Sequence, residues 1–269
     1  MNSLKQIRKM IAERRKLAAR LDFFDANIWL GAPEGFPLAK AINAKQLDGV
    51  LKTYFTRSGL ISHWQGKMSS AQDGNAALEK LAPSLRKDLG VIWTGLPLLN
   101  GETGPLPGMG TMPPRLCGVR IFPKTHNFIP EDWVIGSLCA WLVARSLPLF
   151  IWHIEIEWAA LYRLARAFPA LTIIVESQPR KILYHSRSLF PLMRECRNVR
   201  VEISNFAGQS FVEYIVREFG AERLIYGSFL PVNDPLVPIG MVLDADIPEA
   251  AKKKIAGDNL RRLLAEVQS

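Results

Sequence analysis

The chain has 269 residues, 48% of them apolar, and a formal charge of +9 at neutral pH. That length suits one α/β barrel or two smaller domains, and the apolar share is enough for a large core. Three cysteines, Cys117, Cys139 and Cys196, far apart and odd in number, speak against a disulfide framework or a Cys-x-x-Cys metal site and for a reducing cytoplasm. The longest apolar runs fall well short of the roughly 20 residues a membrane helix needs, so no membrane span is expected.

The charge is unevenly placed. Residues 1–20 hold seven basic side chains (Lys5, Arg8, Lys9, Arg14, Arg15, Lys16 and Arg20) against Glu13 alone, a net +6 that leaves the body only mildly basic. A nucleic-acid partner is therefore not indicated. Leu4, Ile7, Ile11, Ala18 and Leu21 fall near one helical face, which predicts a basic amphipathic helix. Its simplest role is to pack under the body with its charges in water; contact with an acidic partner or a membrane surface is the alternative. No continuous apolar stretch follows the charges, as a secretory signal would require.

Residues 23–30 read as a first strand, with Asp25, Asn27 and Trp29 on one face and Phe24, Ala26 and Ile28 on the other. Helical periodicity follows over 38–55, a short strand over 60–64, a helical region over 75–89 and a third strand over 91–96. Residues 97–114 are dense in Gly and Pro. A connection of that length in a compact domain is a candidate lid. A fourth strand at 117–122, a helix from 130 to about 146, a strand at 148–154, a helix at 158–168 and a strand at 171–176 continue the alternation. The last two strands are apolar nearly throughout, as strands covered on both faces tend to be. A helix at 180–195, a strand at 199–203, a helix opened by a capping box at Ser210 and Glu213, a strand at 223–227 and helices at 248–256 and 259–267 follow in turn.

Eight strands alternating with helices, without a linker, predict a closed (β/α)₈ TIM barrel. A single domain over 1–269 is expected, in which 1–21 is an additional N-terminal basic amphipathic helix and 22–269 is the barrel, ending in C-terminal helices. No Gly-x-Gly-x-x-Gly follows a strand and no phosphate loop is present, so a nucleotide site has no support. The C-terminal ends of the strands build the active site in such barrels. That position nominates Asp25, Asn27, Trp29, His63, Arg120, Lys124, His153, Glu155, Glu176 and Ser177, with Ser204, Asn205 and Ser228 beside them. No Gly-x-Ser-x-Gly elbow surrounds Ser177, which argues against a serine triad.

The motifs in order carry a resemblance. Gly118, Arg120 and Pro123 match a Gly-x-Lys-x-x-Pro fourth strand, with arginine for lysine. Residues 147–153 look like a fifth strand delivering a histidine, and 165–177 like a sixth strand of the same kind. Residues 219–229 are similar to a Gly-x-x-Arg strand ending in Gly-Ser-Asp, followed by Asn259, Arg262 and Leu263. Together these resemble the amidohydrolase superfamily, in its amidohydrolase-related, decarboxylase-like branch, over residues 23 to about 264.

The resemblance implies a TIM barrel and a divalent metal held by two first-strand histidines, one from the fifth strand, often one from the sixth, and an eighth-strand aspartate. Here those positions read Asn27, Trp29, His153, Ser177 and Phe229. One donor of five remains, against about three needed for a catalytic zinc. No metal ligand and no cofactor are therefore expected. A zinc-like ion held by His153 with Glu155 or Glu176 would need more convergent donors than these supply.

Two functional readings stand side by side. One is a metal-independent hydrolase or lyase for a small carboxylate, lactone or amide. In it His153 is the acid or base, Arg120 the oxyanion or carboxylate partner and Glu176 a third catalytic group, while Asp25, Asn27, Trp29, His63, Lys124, Glu155, Ser177 and Phe229 line the substrate site. The other is a non-catalytic barrel that binds a small molecule or a protein. In that reading Arg120, Glu155 and Glu176 pair with one another and Trp29, Trp93, Trp152 and Phe229 pack as core. A small-molecule ligand is expected under the first reading, and a homo-oligomer is compatible with either.

Overall fold

The computed structural model describes residues 2–33, 35–96, 113–178, 182–206 and 208–268. The candidate lid at 97–114 therefore lies, except for Pro113 and Pro114, outside the described residues. Eight parallel strands follow one another in sequence order. They are β1 (Phe23–Leu30), β2 (Thr56–His63), β3 (Leu89–Thr94), β4 (Leu116–Ile121), β5 (Leu149–Trp152), β6 (Ile173–Glu176), β7 (Val199–Glu202) and β8 (Leu224–Ile225). The ring is nearly closed between β8 and β1, where Ala26 N donates to Tyr226 O (3.0 Å), Trp29 N donates to Leu230 O (2.8 Å) and Ile28 bridges Leu230. The fold is the TIM barrel predicted from the alternation of elements.

The core has three parts. Val91, Val119, Ile121, Leu149, Ile151, Ile173, Val175, Val199 and Val201 point outward into the layer between sheet and helices. Leu60, Ile92, Phe150, Ile174 and Ile225 fill the barrel interior, with Leu260 and Leu263 of the terminal helix α11 (Asn259–Ala265) in the same cluster. Above them, at the C-terminal mouth, Trp29, Trp64, Phe122, Trp152 and Phe229 form a separate aromatic cluster.

The strict alternation read for β1 is corrected by a bulge. The pairing Asp25↔Gly59 is followed by Ile28↔Ile61, so β1 carries one more residue than β2 over this stretch. Phe24 and Ala26 consequently join the interior cluster while Ile28 joins the outer layer. A bulge re-aims the side chains beyond it, and here it turns both Asn27 and Trp29 into the mouth.

Helix α1 (Asn2–Leu21) precedes the barrel. Helix α2 (Ala44–Thr53) is shorter than the predicted 38–55 because Asn43 starts it with a capping box, its side chain accepting from Gln46 N while Gln46 returns a bond to Asn43 N. After β2 come α3 (Trp64–Met68) and α4 (Ala71–Leu81), the latter capped by Ser70. These two helices touch at glycines: a Cβ on Gly74 would stand 2.3 Å from Gly66 N. The remaining helices are α5 (Asp132–Ala144), α6 (Trp158–Ala167), α7 (Ser186–Glu195), α8 (Phe211–Phe219), α9 (Leu236–Asp244) and α10 (Glu249–Lys253). Ser210 does not make the predicted capping box: it sits in the left-handed region (φ 56°) and its side chain makes no cap bond. No helix is long and apolar enough to cross a membrane among the described residues.

Candidate functional site

The mouth is built in layers. Arg120, on the inner face of β4, is 1% exposed and grips Glu176 of β6 through two bonds, Nε to Oε2 at 2.7 Å and Nη2 to Oε1 at 2.6 Å. Its Nη1 also donates to Ser62 Oγ. The guanidinium lies between rings, 4.7 Å from Trp29 and 5.5 Å from Phe150. This one cation therefore has its in-plane donors on Glu176 and Ser62 and its faces covered by aromatic carbon.

Beside it stands Glu202, at the end of β7 and in register with Glu176. Its Oε1 accepts from Ser204 N (2.6 Å) and its Oε2 from Ser204 Oγ (2.9 Å), with Asn27 Nδ2 at 3.5 Å. Glycine is required opposite, because a Cβ on Gly227 would stand 2.2 Å from Oε1. Burial first, and then the neighbouring Glu176 charge, push the Glu202 carboxyl up to about 8. Glu202 thus carries its proton at neutral pH. Burial also raises Glu176, against the downward pull of Arg120, and raises Asp25, against the hydrogen bonds from Ser228 and Asn27.

Asp25 serves the backbone. Its Oδ1 accepts from Asn27 N and from Ser228 N, both at 2.9 Å, and Oδ2 accepts from Ser228 Oγ. The carboxylate thereby bonds the N–H groups left without ladder partners by the bulge and by the gap between β1 and β8. Asn27 in turn accepts from Trp29 Nε1 at 2.6 Å.

Above the charged layer the rings close over. Trp29 lies 4.5 Å from Trp64, 5.7 Å from Trp152 and 6.4 Å from Phe229, and Trp152 lies 5.4 Å from Phe122 and 5.5 Å from Phe229, centroid to centroid. None of the five is more than 2% exposed. Lys67 of α3 places its ammonium 5.0 Å from Phe122 and 4.9 Å from Trp152, pairs with Glu155 at 3.3 Å and donates to Thr125.

The residues nominated from the sequence are thus divided. Asp25, Asn27, Trp29, Arg120, Glu176 and Phe229 come together in the mouth. His153 follows the end of β5, its Nδ1 3.2 Å from Glu176 O and its ring 5.2 Å from that of His185. The expected three-way pairing of Arg120, Glu155 and Glu176 is split, since Glu155 turns to Lys67 and also accepts from Thr125 N. Lys124 is exposed and pairs with Glu157 at 2.6 Å. Ser177 accepts from Asn205 N. His63 caps α3 through Gln65 N, and burial lowers its basicity. Glu202 and Lys67 were not nominated. Glu202 had a signal, since Val199 and Val201 alternate with it and place it inward; Lys67 follows a strand on a short helix and had none.

Next to the closed mouth lies an open cleft of about 570 Å³, lined by Pro33, Phe36, His63, Trp64, Gln65 and Met68 among others. Trp64 is shared: it packs on Trp29, and the Phe36 ring lies 5.7 Å away, tilted by 51°.

A family model described as Amidohydrolase matches residues 112–265, which include every strand from β4 onward. The chain belongs to the amidohydrolase family. Among solved structures, an uncharacterised TIM-barrel protein, Bb4693 from Bordetella bronchiseptica, is similar at 14% identity with a TM-score of 0.67, covering 97% of this chain and 92% of that one. The 5-carboxyvanillate decarboxylase LigW from Sphingomonas paucimobilis is similar at 13% identity and a TM-score of 0.68, covering 92% and 100%. A dihydroxybenzoic acid decarboxylase from Polaromonas sp. JS666, with bound manganese and the inhibitor 2-nitroresorcinol, matches at 12% identity and a TM-score of 0.65, covering 91% and 97%. No curated protein matches.

The manganese-bound relative corrects one expectation. The residues read at the ligand positions pointed to a protein without a cofactor, yet a decarboxylase of similar fold holds manganese. The mouth residues themselves do not fit one: among the described residues no group of three or more His, Cys, Asp or Glu is placed to hold an ion. At the position in question Trp29 and Phe229 present ring carbon, and Asn27 Oδ1 is taken by the Trp29 indole.

Proposed function

We propose that this amidohydrolase-family barrel, related in fold to decarboxylases, is a non-catalytic member that binds a small molecule at the rim of the barrel and does not convert one at its centre. One observation carries the reading: the Arg120 and Glu176 pair is fully buried with Trp29 against the guanidinium, so the groups that could stabilise a developing charge are already paired with each other and out of reach. An oxyanion site requires donors aimed at an empty position. Here the donors of Arg120 are aimed at Glu176 and Ser62.

The cleft beside the plug supports the binding half of the reading. Phe36, Pro33 and Met68 offer apolar contact, and His63 and Gln65 offer polar groups. That lining suits a flat, mostly apolar molecule with one hydrogen-bonding group. Ser69→Trp places a ring in the cleft from its exposed edge. Titration calorimetry of a set of aromatic acids and amides should find a ligand for the parent and lose it in Ser69→Trp. Binding unchanged in Ser69→Trp would remove the cleft from the proposed function.

A further inference from the structure

Helix α1 divides into two halves whose apolar residues fall on one face, separated by Arg14. At its C-terminal end Ala18 and Leu21 are each 1% exposed and belong to the main core. Toward the N-terminus Leu4, Ile7, Met10 and Ile11 form an apolar stripe on the same face, and they are 65%, 48%, 52% and 44% exposed. The stripe therefore runs off the body: Leu4 to Ile11 spans about 10 Å of helix at 1.5 Å per residue. Packing under the barrel, the simpler role read from the sequence, accounts only for the last turns.

The cations divide in the same way. Arg14 pairs with Asp244 at 2.5 Å and Arg20 with Glu249 at 3.2 Å, which tie the docked half to α9 and α10. Lys9 lies 3.9 Å from Glu13 within the helix. Lys5, Arg8, Arg15 and Lys16 have no ion pair among those found between described residues. At 100° per residue Arg8 and Arg15 fall along one edge of the stripe, with Lys5, Lys9 and Lys16 further round.

We propose that the N-terminal half of α1 docks on an anionic phospholipid surface, lying in the interface with Leu4, Ile7, Met10 and Ile11 inserted and Lys5, Arg8, Arg15 and Lys16 on the headgroups. An exposed apolar stripe flanked by Lys and Arg is the pattern of an interfacial helix. Charge decides between occupants. A second copy laid stripe to stripe would bring together two segments that each carry a net +6, on molecules that each carry +9. A nucleic acid would match the charge and leave the four apolar side chains in water. Anionic lipid satisfies both, with each basic side chain near the surface contributing about fivefold in affinity. This proposal goes beyond the reading of the barrel mouth and stands or falls separately from it.

The test is sedimentation of the full-length protein with vesicles of phosphatidylcholine containing phosphatidylserine, against vesicles of phosphatidylcholine alone. The expected result is binding to the anionic vesicles only, weakened as salt is raised, and reduced at least tenfold in Ile7→Asp/Ile11→Asp and roughly twentyfold in Arg8→Gln/Arg15→Gln, each melting at the parent temperature. Equal partition to both vesicle types, or no partition, overturns it. So does binding that survives Ile7→Asp/Ile11→Asp, because the contact would then be charge alone. Self-association without lipid that Ile7→Asp/Ile11→Asp abolishes gives the stripe to a second copy and equally overturns it.

Discussion

The mouth of the barrel and the N-terminal half of α1 hold the same kinds of side chain in opposite states. In the mouth, aromatic rings and an arginine are buried against one another, and the donors of that arginine have partners inside the fold. On the N-terminal half of α1, the aliphatic side chains Leu4, Ile7, Met10 and Ile11 and the cations Lys5 and Arg8 stand exposed. A barrel similar in fold to a decarboxylase invites attention to the strand ends, yet there the interactions are already internal. Nomination by position is therefore insufficient: a charged residue at a strand end is available for chemistry only if its neighbours leave it unpaired.

The largest effect should come from breaking the buried pair. Arg120→Met leaves the Glu176 carboxylate without its cation in an interior where both are at most 1% exposed. Removing one partner of a buried ion pair costs about 3–5 kcal/mol. Denaturant unfolding should show that loss, and Arg120→Met/Glu176→Leu should recover most of it. A single variant as stable as the parent would mean the mouth is wetter and looser than described.

Next in size is a pH effect. Glu202 in the folded protein is pushed up to about 8 from an ordinary value of 4.5, so between these values the folded state holds a proton that the unfolded state has released. Stability contributed by that proton is therefore present at low pH and lost as pH rises toward 8, with a slope of about 1.4 kcal/mol per pH unit for one proton. His63 and His126, both lowered by burial, act in the opposite sense as pH falls, which leaves the Glu202 slope clearest above the histidine range. Unfolding of Glu202→Gln across pH 7 to 8 should show a shallower decline than the parent, the remainder coming from Glu176 and Asp25, which burial also raises.

The smallest effect belongs to the other region. Ile7→Asp/Ile11→Asp removes side chains that touch little of the body, so its stability should stay within about 0.5 kcal/mol of the parent. A larger loss would show that the N-terminal half of α1 is covered, and the contrast between the two regions would shrink.

The fold was legible because apolar strand segments and helical segments alternate along the chain. Residues 149–152 and 173–176 alternate cleanly between the inner and outer layers. β1 was not, because a bulge depends on the pairing with β2 and leaves no mark in the sequence of β1 alone. Helix α9 was missed because Pro238 and Gly240 break its pattern; the burial of Ile239 and Val242 holds it against those propensities. Ser210 looked like a cap from spacing and is placed by a left-handed backbone instead.

At the site, Asn27, Trp29, Ser177 and Phe229 were read as departures from the ligand set the resemblance implies. What they became was not. Asn27 orients the Trp29 indole, and Arg120 chooses Glu176 over Glu155 because β4 and β6 both point inward while Glu155 lies beyond the end of β5. Such choices are made by register and strand length, which fix distances between residues far apart in sequence.

A barrel mouth that converts nothing is tested most directly by release of carbon dioxide from hydroxybenzoates, among them 2,6-dihydroxybenzoate and 5-carboxyvanillate, with manganese supplied and with it withheld. The rate should equal that of buffer in both conditions. Turnover above buffer that disappears in Arg120→Met, with that variant still folded, would contradict the proposed function.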